Sequence, residues 1–183
     1  MNLEYEFDNI SLRILDNQYA SIILPFCDRN REIFEQYEID KPLNFYTLEF
    51  QKKLIRAEYE GFLHGTYVRF YMFDKNIPDK IIGTISFSDM KRSSFFSCQI
   101  GYKMDSDYLN QGYGFKMLSN SISIMENECH MHRIGAYILP SNQPSIKLVE
   151  KVGFKLEGIA KSYVLMNGKW IDHLCYAYIS TTH

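Results

Sequence analysis

Apolar and polar residues alternate in several short segments of the chain, which is the pattern of strands with one buried face. In the first part of the chain, four segments are predicted as strands: residues 10–15, 67–73, 80–87 and 95–104. The last three follow one another directly, so an antiparallel meander is their simplest arrangement. Residues 17–38 and 47–63 are predicted as helices, and Asp40-Lys41-Pro42 breaks the chain between them.

The later part of the chain changes to the 3.6-residue period of an amphipathic helix over residues 112–130. Its apolar stripe consists of Phe115, Leu118, Ile122, Met125 and Cys129. A second helix is expected over residues 142–153, with Gly153 as its left-handed stop. Three more strands are predicted: residues 134–139, 154–160 and 171–179. Seven strands and four helices indicate a single mixed α/β (α+β) domain over residues 1–183.

The composition limits the kinds of partner. Lys and Arg number 20 against 22 Asp and Glu, a net charge of -2, so no global positive field attracts nucleic acid or an anionic membrane. The cysteines are scattered, and His130 and His132 have no companions at ligand spacing, so no metal is expected. No secretion signal and no apolar run of ~18 residues is present, which predicts a cytoplasmic protein.

The connection between the third meander strand and the next helix carries Gly112 and Gly114. Free amides at a helix N-terminus bind anions, and glycine lets a phosphate approach without a Cβ in the way. A phosphate clamp and a simple turn both explain these glycines. Phe115 and Lys116 replace the Lys-Ser/Thr of a P-loop, and Met117 stands where a dinucleotide fingerprint needs its third glycine. ATP and NAD binding are therefore disfavoured.

Asn142 and Ser145 form a second candidate segment, at the junction of a strand and the helix over residues 142–153. Three residues apart, they lie on one face of the first helical turn. Helix capping alone explains them when they are considered in isolation. Their combination with the glycine segment is more informative than either segment alone.

Together, these segments resemble the GNAT superfamily of acyl-CoA-dependent N-acyltransferases, specifically its RimJ/RimL-like branch. The family's pyrophosphate loop reads Gln/Arg-x-x-Gly-x-Gly/Ala, which residues 109–114 match except for Leu109 at the first position. The branch has an Ile-Gly-Tyr strand before this loop, matched by residues 100–102. It also has a helix segment that starts Asn-x-x-Ser and ends Gly-Phe, matched by residues 142–154.

The resemblance implies the GNAT fold: a mixed, mostly antiparallel sheet of about seven strands, splayed at the acyl-CoA site and flanked by about four helices. It implies acetyl-CoA as the co-substrate and no metal. Pantetheine would pair with the backbone of Tyr102, Lys103 and Met104. An N–H group near Tyr102 or Lys103 would polarise the thioester carbonyl.

The same resemblance assigns the remaining CoA contacts. The pyrophosphate loop would contain Leu109, Asn110, Gln111, Gly112, Tyr113, Gly114, Phe115 and Lys116. Asn142 would orient CoA and Ser145 would contact it. Lys147 and Lys116 would balance CoA phosphates, with simple solvation as the alternative for both.

The resemblance also implies catalytic roles. Many family members protonate the leaving thiolate with a Tyr four residues before the helix-ending Gly, where this chain has Val149, so Ser145 is the candidate general acid. The branch often has Glu before Ile-Gly-Tyr, where this chain has Gln99, which cannot take a proton. The candidates for the base are Asp89, Glu157, Tyr163 or a chain of waters. Asp172 is expected to order the last hairpin.

The lack of an obvious base bears on the acceptor. An α-amino group of pKa ~7.7 to 8.0 is roughly 10% neutral at pH 7, whereas a lysine or polyamine amine costs about 4 to 5 kcal/mol to deprotonate. A protein N-terminal α-amino group is therefore preferred, with polyamines and antibiotics as alternatives. Glu32, Glu35 and Glu38 would either line a polycation site or form a solvated helix face.

The sequence leaves two pairs of alternatives open. An acyl-CoA-binding or regulatory domain without catalysis is the alternative to an enzyme, because Gln99 and Val149 replace expected residues. Phe95-Phe96 would either pair two subunits in a homodimer or belong to the core.

Overall fold

The computed structural model describes residues 1–181 and contains one sheet of eight strands with five α-helices. The strands are β1 (Glu4–Phe7), β2 (Ile10–Arg13), β3 (Val68–Asp74), β4 (Ile77–Lys91), β5 (Ser97–Met104), β6 (Arg133–Ile138), β7 (Lys155–Met166) and β8 (Lys169–Ile179). The helices are α1 (Ala20–Arg29), α2 (Arg31–Glu35), α3 (Leu48–Leu63), α4 (Tyr113–Cys129) and α5 (Gln143–Val152). None of the helices in this range has the length and hydropathy to span a bilayer.

The sheet has the order β1-β2-β3-β4-β5-β6-β8-β7. Every neighbouring pair is antiparallel except β5 and β6. Those two strands run parallel because the chain returns through α4 between them. The mixed, mostly antiparallel α/β sheet expected from the sequence is confirmed.

The structure has one strand and one helix more than the sequence predicts. Strand β1 has only four residues, and its pairing with β2 defines it. The helix predicted over residues 17–38 ends at Arg29, and Asn30 separates it from α2. Asn30 is buried and donates to the Phe26 carbonyl oxygen over 2.9 Å, so its side chain competes with the backbone for helical hydrogen bonds.

Helices pack on both faces of the sheet and form a separate hydrophobic cluster on each face. Alternate residues of β3 contribute to two hydrophobic clusters, with Phe70 in the larger and Phe73 in the smaller. The larger cluster includes α4 and α5, and their side of the sheet is called the α4 face below. The smaller cluster includes residues of α1, α2 and α3, and their side is called the α3 face.

Strands β5 and β6 are joined over only three residue pairs, which end at Gln99 and Gly135. Beyond this point β5 still pairs with β4 as far as Met104, and β6 still pairs with β8 as far as Ile138. The facing edges of β5 and β6 therefore diverge and leave a wedge between them, called the gap below. This is the splay that the resemblance predicts.

Candidate active site

The N-terminus of α4 lies close to the end of β5, at the open side of the gap. A Cβ built on Gly114 in the first turn of α4 would lie 3.8 Å from the Met104 side chain. Gly112 caps the helix without any side-chain hydrogen bond. The first amides of an α-helix have no acceptor within the helix, so this end presents free N–H groups and a positive dipole.

The two glycines of this loop are required for different reasons. Gly112 has φ +84°, a conformation that disfavours other residues, and a Cβ there would meet nothing within 4 Å. A Cβ on Gly114 would lie 3.1 Å from Leu148, so this glycine permits the close contact between α4 and α5. Of these two glycines, only Gly112 both adopts a left-handed conformation and leaves its backbone open to a ligand.

Polar contacts join the first turns of α4 to the turn between β1 and β2 and to the end of β3. The Tyr113 hydroxyl donates to Asp74 Oδ2 over 3.0 Å and accepts from Asn9 Nδ2 over 3.3 Å. Lys116 Nζ donates to Asn9 Oδ1 over 2.7 Å. Tyr113 and Lys116, both predicted to contact CoA, thus have side chains engaged with the protein. The Tyr113 backbone amide is not used in these contacts, whereas the Lys116 backbone N–H donates to the Gly112 carbonyl oxygen over 3.1 Å.

The rest of the predicted pyrophosphate loop is open to solvent. Leu109, Asn110 and Gln111 are exposed, and Gln111 Nε2 donates to the Asp107 carbonyl oxygen over 2.6 Å. Phe115 is partly exposed, and its ring centroid lies 5.1 Å from Lys151 Nζ. This part of the chain can therefore meet a ligand through its backbone.

Tyr102 and Ser145 come together on the α4 face beside the gap. Their hydroxyl oxygens are 2.5 Å apart, and the Tyr102 hydroxyl also lies 3.2 Å from the Ser145 carbonyl oxygen. Burial raises the pKa of Tyr102 to about 12, while the hydrogen bond with Ser145 lowers it. The phenol therefore stays protonated at neutral pH, and the pair can deliver a proton.

Asn142 positions the start of the helix that carries Ser145. Its Oδ1 accepts from the backbone N–H of Ser145 over 3.2 Å, which is the helix-capping role considered for it. Gly153 closes the same helix with φ +114°. Lys147 is exposed on this helix. Helices α4 and α5 both pack on the α4 face of the sheet.

Lys103 points to the opposite side, the α3 face. The Lys103 ammonium pairs with Glu38 and lies 5.1 Å from the Phe34 ring centroid. Glu38 also binds Lys41 over 2.9 Å. Burial lowers the pKa of Lys103, and Glu38 acts in the opposite direction. Only the backbone of Lys103 is therefore free to contact a ligand in the gap.

The three glutamates of the acidic run do not share a helix face. Helix α2 ends at Glu35, which accepts from Arg31 and from the Tyr46 hydroxyl. Glu38 lies beyond the helix between two lysines, and Glu32 is exposed. The polycation site considered from the sequence is therefore not assembled by these residues.

Gln99 occupies the closed end of the gap on the α3 face. Its Oε1 is buried and has no hydrogen-bond partner among residues 1–181. The carboxamide lies over Gly135, where a Cβ would come within 2.3 Å of Oε1. The absence of a side chain at Gly135 therefore makes room for Gln99.

Gly135→Ala is expected to displace the Gln99 side chain, since such a contact is far inside van der Waals distance. We expect a loss of about 1 kcal/mol in the free energy of unfolding, at the low end for overpacked cores, because the end of the flexible Gln99 side chain can move aside. Thermal unfolding measures this loss. Gly158→Ala is the matched control, because a Cβ there meets nothing within 4 Å. Equal behaviour of the two variants would contradict the prediction.

Tyr137 extends the lining of the gap on the α3 face, two residues beyond Gly135 on β6. Its ring stacks on Tyr163 of β7 with centroids 4.2 Å apart. His173 of β8 contacts Tyr163 edge-on at 5.6 Å. Burial raises the pKa of Tyr163, and Tyr137 and Asp89 raise it further. His173 belongs to no motif recognised in the sequence, so the sequence gives no expectation of this contact.

The other predicted base and hairpin residues have structural partners. Glu157 forms a bidentate ion pair with Arg133, whose hydrogen bonds lower the Glu157 pKa. A carboxylate held in this way accepts a proton less readily. Asp172 accepts from the Ser162 backbone N–H over 2.8 Å and from Lys161 over 2.7 Å, so it orders the hairpin as expected.

Two remaining features concern metals and subunit contacts. Within residues 1–181, no group of three or more His, Cys, Asp or Glu residues has the arrangement of a metal site. Phe95 is 67% exposed and Phe96 is 38% exposed, so the core alternative for this pair is wrong. Pairing of subunits through these rings stays a prediction.

Comparison with known proteins agrees with this geometry. The model of the acetyltransferase (GNAT) domain family matches residues 18–155. The [ribosomal protein uS5]-alanine N-acetyltransferase of Escherichia coli (strain K12) is 31% identical over 173 residues, which cover 93% of this chain and 87% of that protein.

Solved structures give the same result. The ribosomal-protein-S5-alanine acetyltransferase of Vibrio fischeri superposes with a TM-score of 0.92 at 31% identity, covering 99% of this chain and 98% of that one. A ribosomal L7/L12 α-N-protein acetyltransferase in complex with coenzyme A shares the fold, with a TM-score of 0.88 at 20% identity and 97% coverage of both chains. The chain therefore belongs to the GNAT family and is an N-acetyltransferase.

Proposed function

We propose that this protein transfers the acetyl group of acetyl-CoA to the N-terminal α-amino group of a protein by direct attack on the thioester. The observation that carries the proposal is the hydroxyl pair of Tyr102 and Ser145 beside the gap. The 31% identical relative is a [ribosomal protein uS5]-alanine N-acetyltransferase, which supports the choice of acceptor.

The gap and the neighbouring helix fit acetyl-CoA. The edge of β5 from Ile100 to Met104 has no strand paired to it on the β6 side, so an extended pantetheine chain can use its backbone groups. The free amides after Gly112 suit a pyrophosphate at the open end. Coenzyme A bound to a protein of the same fold is consistent with this assignment.

The chain's own groups account for the chemistry of transfer. A backbone N–H of Tyr102 or Lys103 polarises the thioester carbonyl as negative charge develops on its oxygen. The amine nitrogen bonds to the carbonyl carbon, and the bond from that carbon to sulfur breaks. The departing thiolate takes a proton from Ser145, which Tyr102 replenishes over 2.5 Å, and the surplus N–H proton of the new amide restores the hydroxyl pair.

The charge on the α3 face favours an α-amine over a polyamine. Arg69 pairs there with Glu58, and Glu38 pairs with both Lys41 and Lys103, so three cations face two carboxylates. No surplus of negative charge is left in this cluster to hold several ammonium groups. The cluster lacks the negative charge that binding a polycation needs, so it favours an acceptor that presents a single amine.

A contact across the α3 face partly covers the side of the gap from which the acceptor would enter. The Asn167 backbone N–H, in the turn between β7 and β8, donates to the Asp40 carboxylate at 3.2 Å and 3.3 Å. The segment between α2 and α3 is therefore joined to the last hairpin across the α3 face. A narrow chain end passes such a bridge more easily than a folded protein surface does.

A panel of amines tests the proposal. Peptides that start with Ala or Ser are expected to be acetylated from acetyl-CoA, with thiol release equal to peptide modified. The same peptides with a blocked N-terminus and an internal lysine should react at least about 100-fold more slowly, because the lysine ammonium is harder to deprotonate. Spermidine is the second control. Acetylation of spermidine without acetylation of any free N-terminus would overturn the proposal.

A further inference from the structure

Gly101, in the middle of β5, is a glycine that the fold itself does not require. Its φ lies outside the left-handed region, unlike that of Gly112. Among residues 1–181, the nearest atom that a Cβ built on Gly101 would meet is Ser86 Oγ at 3.5 Å, an ordinary van der Waals contact. By comparison, a Cβ on Gly83 of β4 would lie 2.7 Å from Met104 Sδ. Neither backbone conformation nor packing therefore explains the missing side chain at residue 101.

A glycine inside a strand weakens that strand, because it contributes no side-chain packing and loses more conformational freedom on folding than any other residue. Such a glycine often marks a place where a ligand or another backbone comes close. Gly101 is exposed, and its partner on β4, Ser86, is only partly buried. The space over Gly101 is therefore open to a ligand.

The missing side chain of Gly101 would point to the α3 face, because Lys103, two residues along the same strand, has its ammonium there. Gln99, two residues back, lies on this face as well, over Gly135 of β6. The side chains of Gln99 and Lys103 thus bound the space over Gly101 along the strand, and this space is called the notch below. The notch adjoins the part of β5 whose edge is unpaired toward the gap.

The groups that border the notch suit a neutral amine. The Lys103 ammonium is paired with Glu38, and the Gln99 carboxamide carries no charge. The Ser86 hydroxyl donates to the Gly101 carbonyl oxygen over 3.2 Å. An ammonium finds no free carboxylate in this set, and a charge without a partner is costly to remove from water. The neutral form of the amine, which is the form that attacks a thioester, does not carry this cost.

The thioester carbonyl would lie at the same stretch of backbone, since its proposed N–H donor belongs to Tyr102 or Lys103. An amine that attacks the carbonyl carbon approaches to about 3 to 3.5 Å, and the α-carbon of the acceptor follows one bond behind it. We propose, on the basis of the proposed function, that this α-carbon and a small side chain on it occupy the notch, and that the missing side chain of Gly101 makes room for them. Gly101 is then a specificity-determining position for the first residue of the acceptor.

The test is Gly101→Ala, assayed with peptides that differ only in their first residue, which is Gly, Ala or Ser. The added methyl group takes up the space in the notch, so kcat/KM is expected to fall about 100-fold for the Ala- and Ser-started peptides. The Gly-started peptide has no Cβ of its own and should lose less than about 10-fold. The dissociation constant of acetyl-CoA should change less than about 3-fold, because the new Cβ points to the α3 face and not along the open edge of β5.

Gly158→Ala is the matched control, because a Cβ on this strand glycine meets nothing within 4 Å. It should behave as wild type with all three peptides. The unfolding temperature of Gly101→Ala should equal or exceed that of wild type, since alanine is better tolerated than glycine inside a strand. A loss of equal size with the three peptides would mean a general effect on the strand, and either that result or no loss at all would overturn the inference.

Failure of the proposed acceptor is a separate result. If the wild type acetylates none of the three peptides but acetylates another amine, the proposed acceptor is wrong. Gly101→Ala is then compared with wild type on that amine, with acetyl-CoA binding measured in parallel. Unchanged kcat/KM would overturn the inference as well, whereas a loss with unchanged acetyl-CoA binding would support the notch as the position of the acceptor.

Discussion

Ser145→Ala is expected to lower kcat about 1000-fold, while the dissociation constant of acetyl-CoA changes less than about 3-fold. The hydroxyl lies 2.5 Å from the Tyr102 oxygen and is the group proposed to protonate the leaving thiolate, a role that contributes in transition states only. The α5 cap does not depend on it, because Asn142 binds the Ser145 backbone N–H. Steady-state kinetics and calorimetric titration with CoA separate the two effects.

The matched control is Ser141→Ala, which removes an exposed hydroxyl four residues earlier in the same segment. It should retain wild-type turnover. Tyr102→Phe should also reduce kcat, and the double variant should lose much less than the product of the two single effects, since the hydroxyls act as one unit. Full turnover in Ser145→Ala would contradict the general-acid assignment. Fully additive losses of kcat in the double variant would show that the two hydroxyls act independently.

The parts of the site that the sequence predicts are those defined by local backbone geometry. Gly112 and Gly153 both have positive φ, and Asn142 caps its helix, so short-range patterns identify them directly. Gly114 also falls in the predicted loop, and the absence of a side chain there leaves room for Leu148 of α5. This contact depends on how α5 packs against α4, which no local pattern contains.

The parts that the sequence does not predict join residues distant along the chain. The Tyr102–Ser145 contact spans 43 positions, and Lys103 meets Glu38 across the α3 face. Tyr163 stacks on Tyr137 only because β6 and β7 both pair with β8. Such partners depend on strand order and register, whereas composition and periodicity describe only one element at a time.

Asp105→Asn is expected to lower the free energy of unfolding by about 3 kcal/mol, the value for a buried carboxylate that loses charge-assisted hydrogen bonds. Asp105 is fully buried between β5 and the loop that leads to α4. It accepts from Arg29 over 2.6 Å and from Asn30 over 3.2 Å. Arg29 also donates to the Ile81 carbonyl oxygen, so the carboxylate connects α1, β4 and the loop.

The pH dependence of this loss follows from the pKa of Asp105. Burial raises it, but hydrogen bonds from the Asp107 backbone N–H, Arg29 and Asn30 outweigh burial and hold it below its usual value of 3.8. A carboxyl group with a lowered folded-state pKa stabilises fully above its unfolded pKa and loses that contribution as the pH falls through the folded value. The difference between wild type and Asp105→Asn should therefore be constant near neutral pH and shrink below about pH 4.

Urea unfolding at pH 7, 5 and 3 measures this difference, with Asp107→Asn as the matched control. Asp107 lies two residues away, is 70% exposed and pairs with Lys80 over 3.1 Å, so its loss should cost less than about 1 kcal/mol. If Asp105→Asn were as stable as Asp107→Asn at pH 7, the carboxylate would not hold the loop. Because this loop precedes Gly112, the destabilised variant should also bind acetyl-CoA more weakly, which separates a loop effect from a general loss of packing.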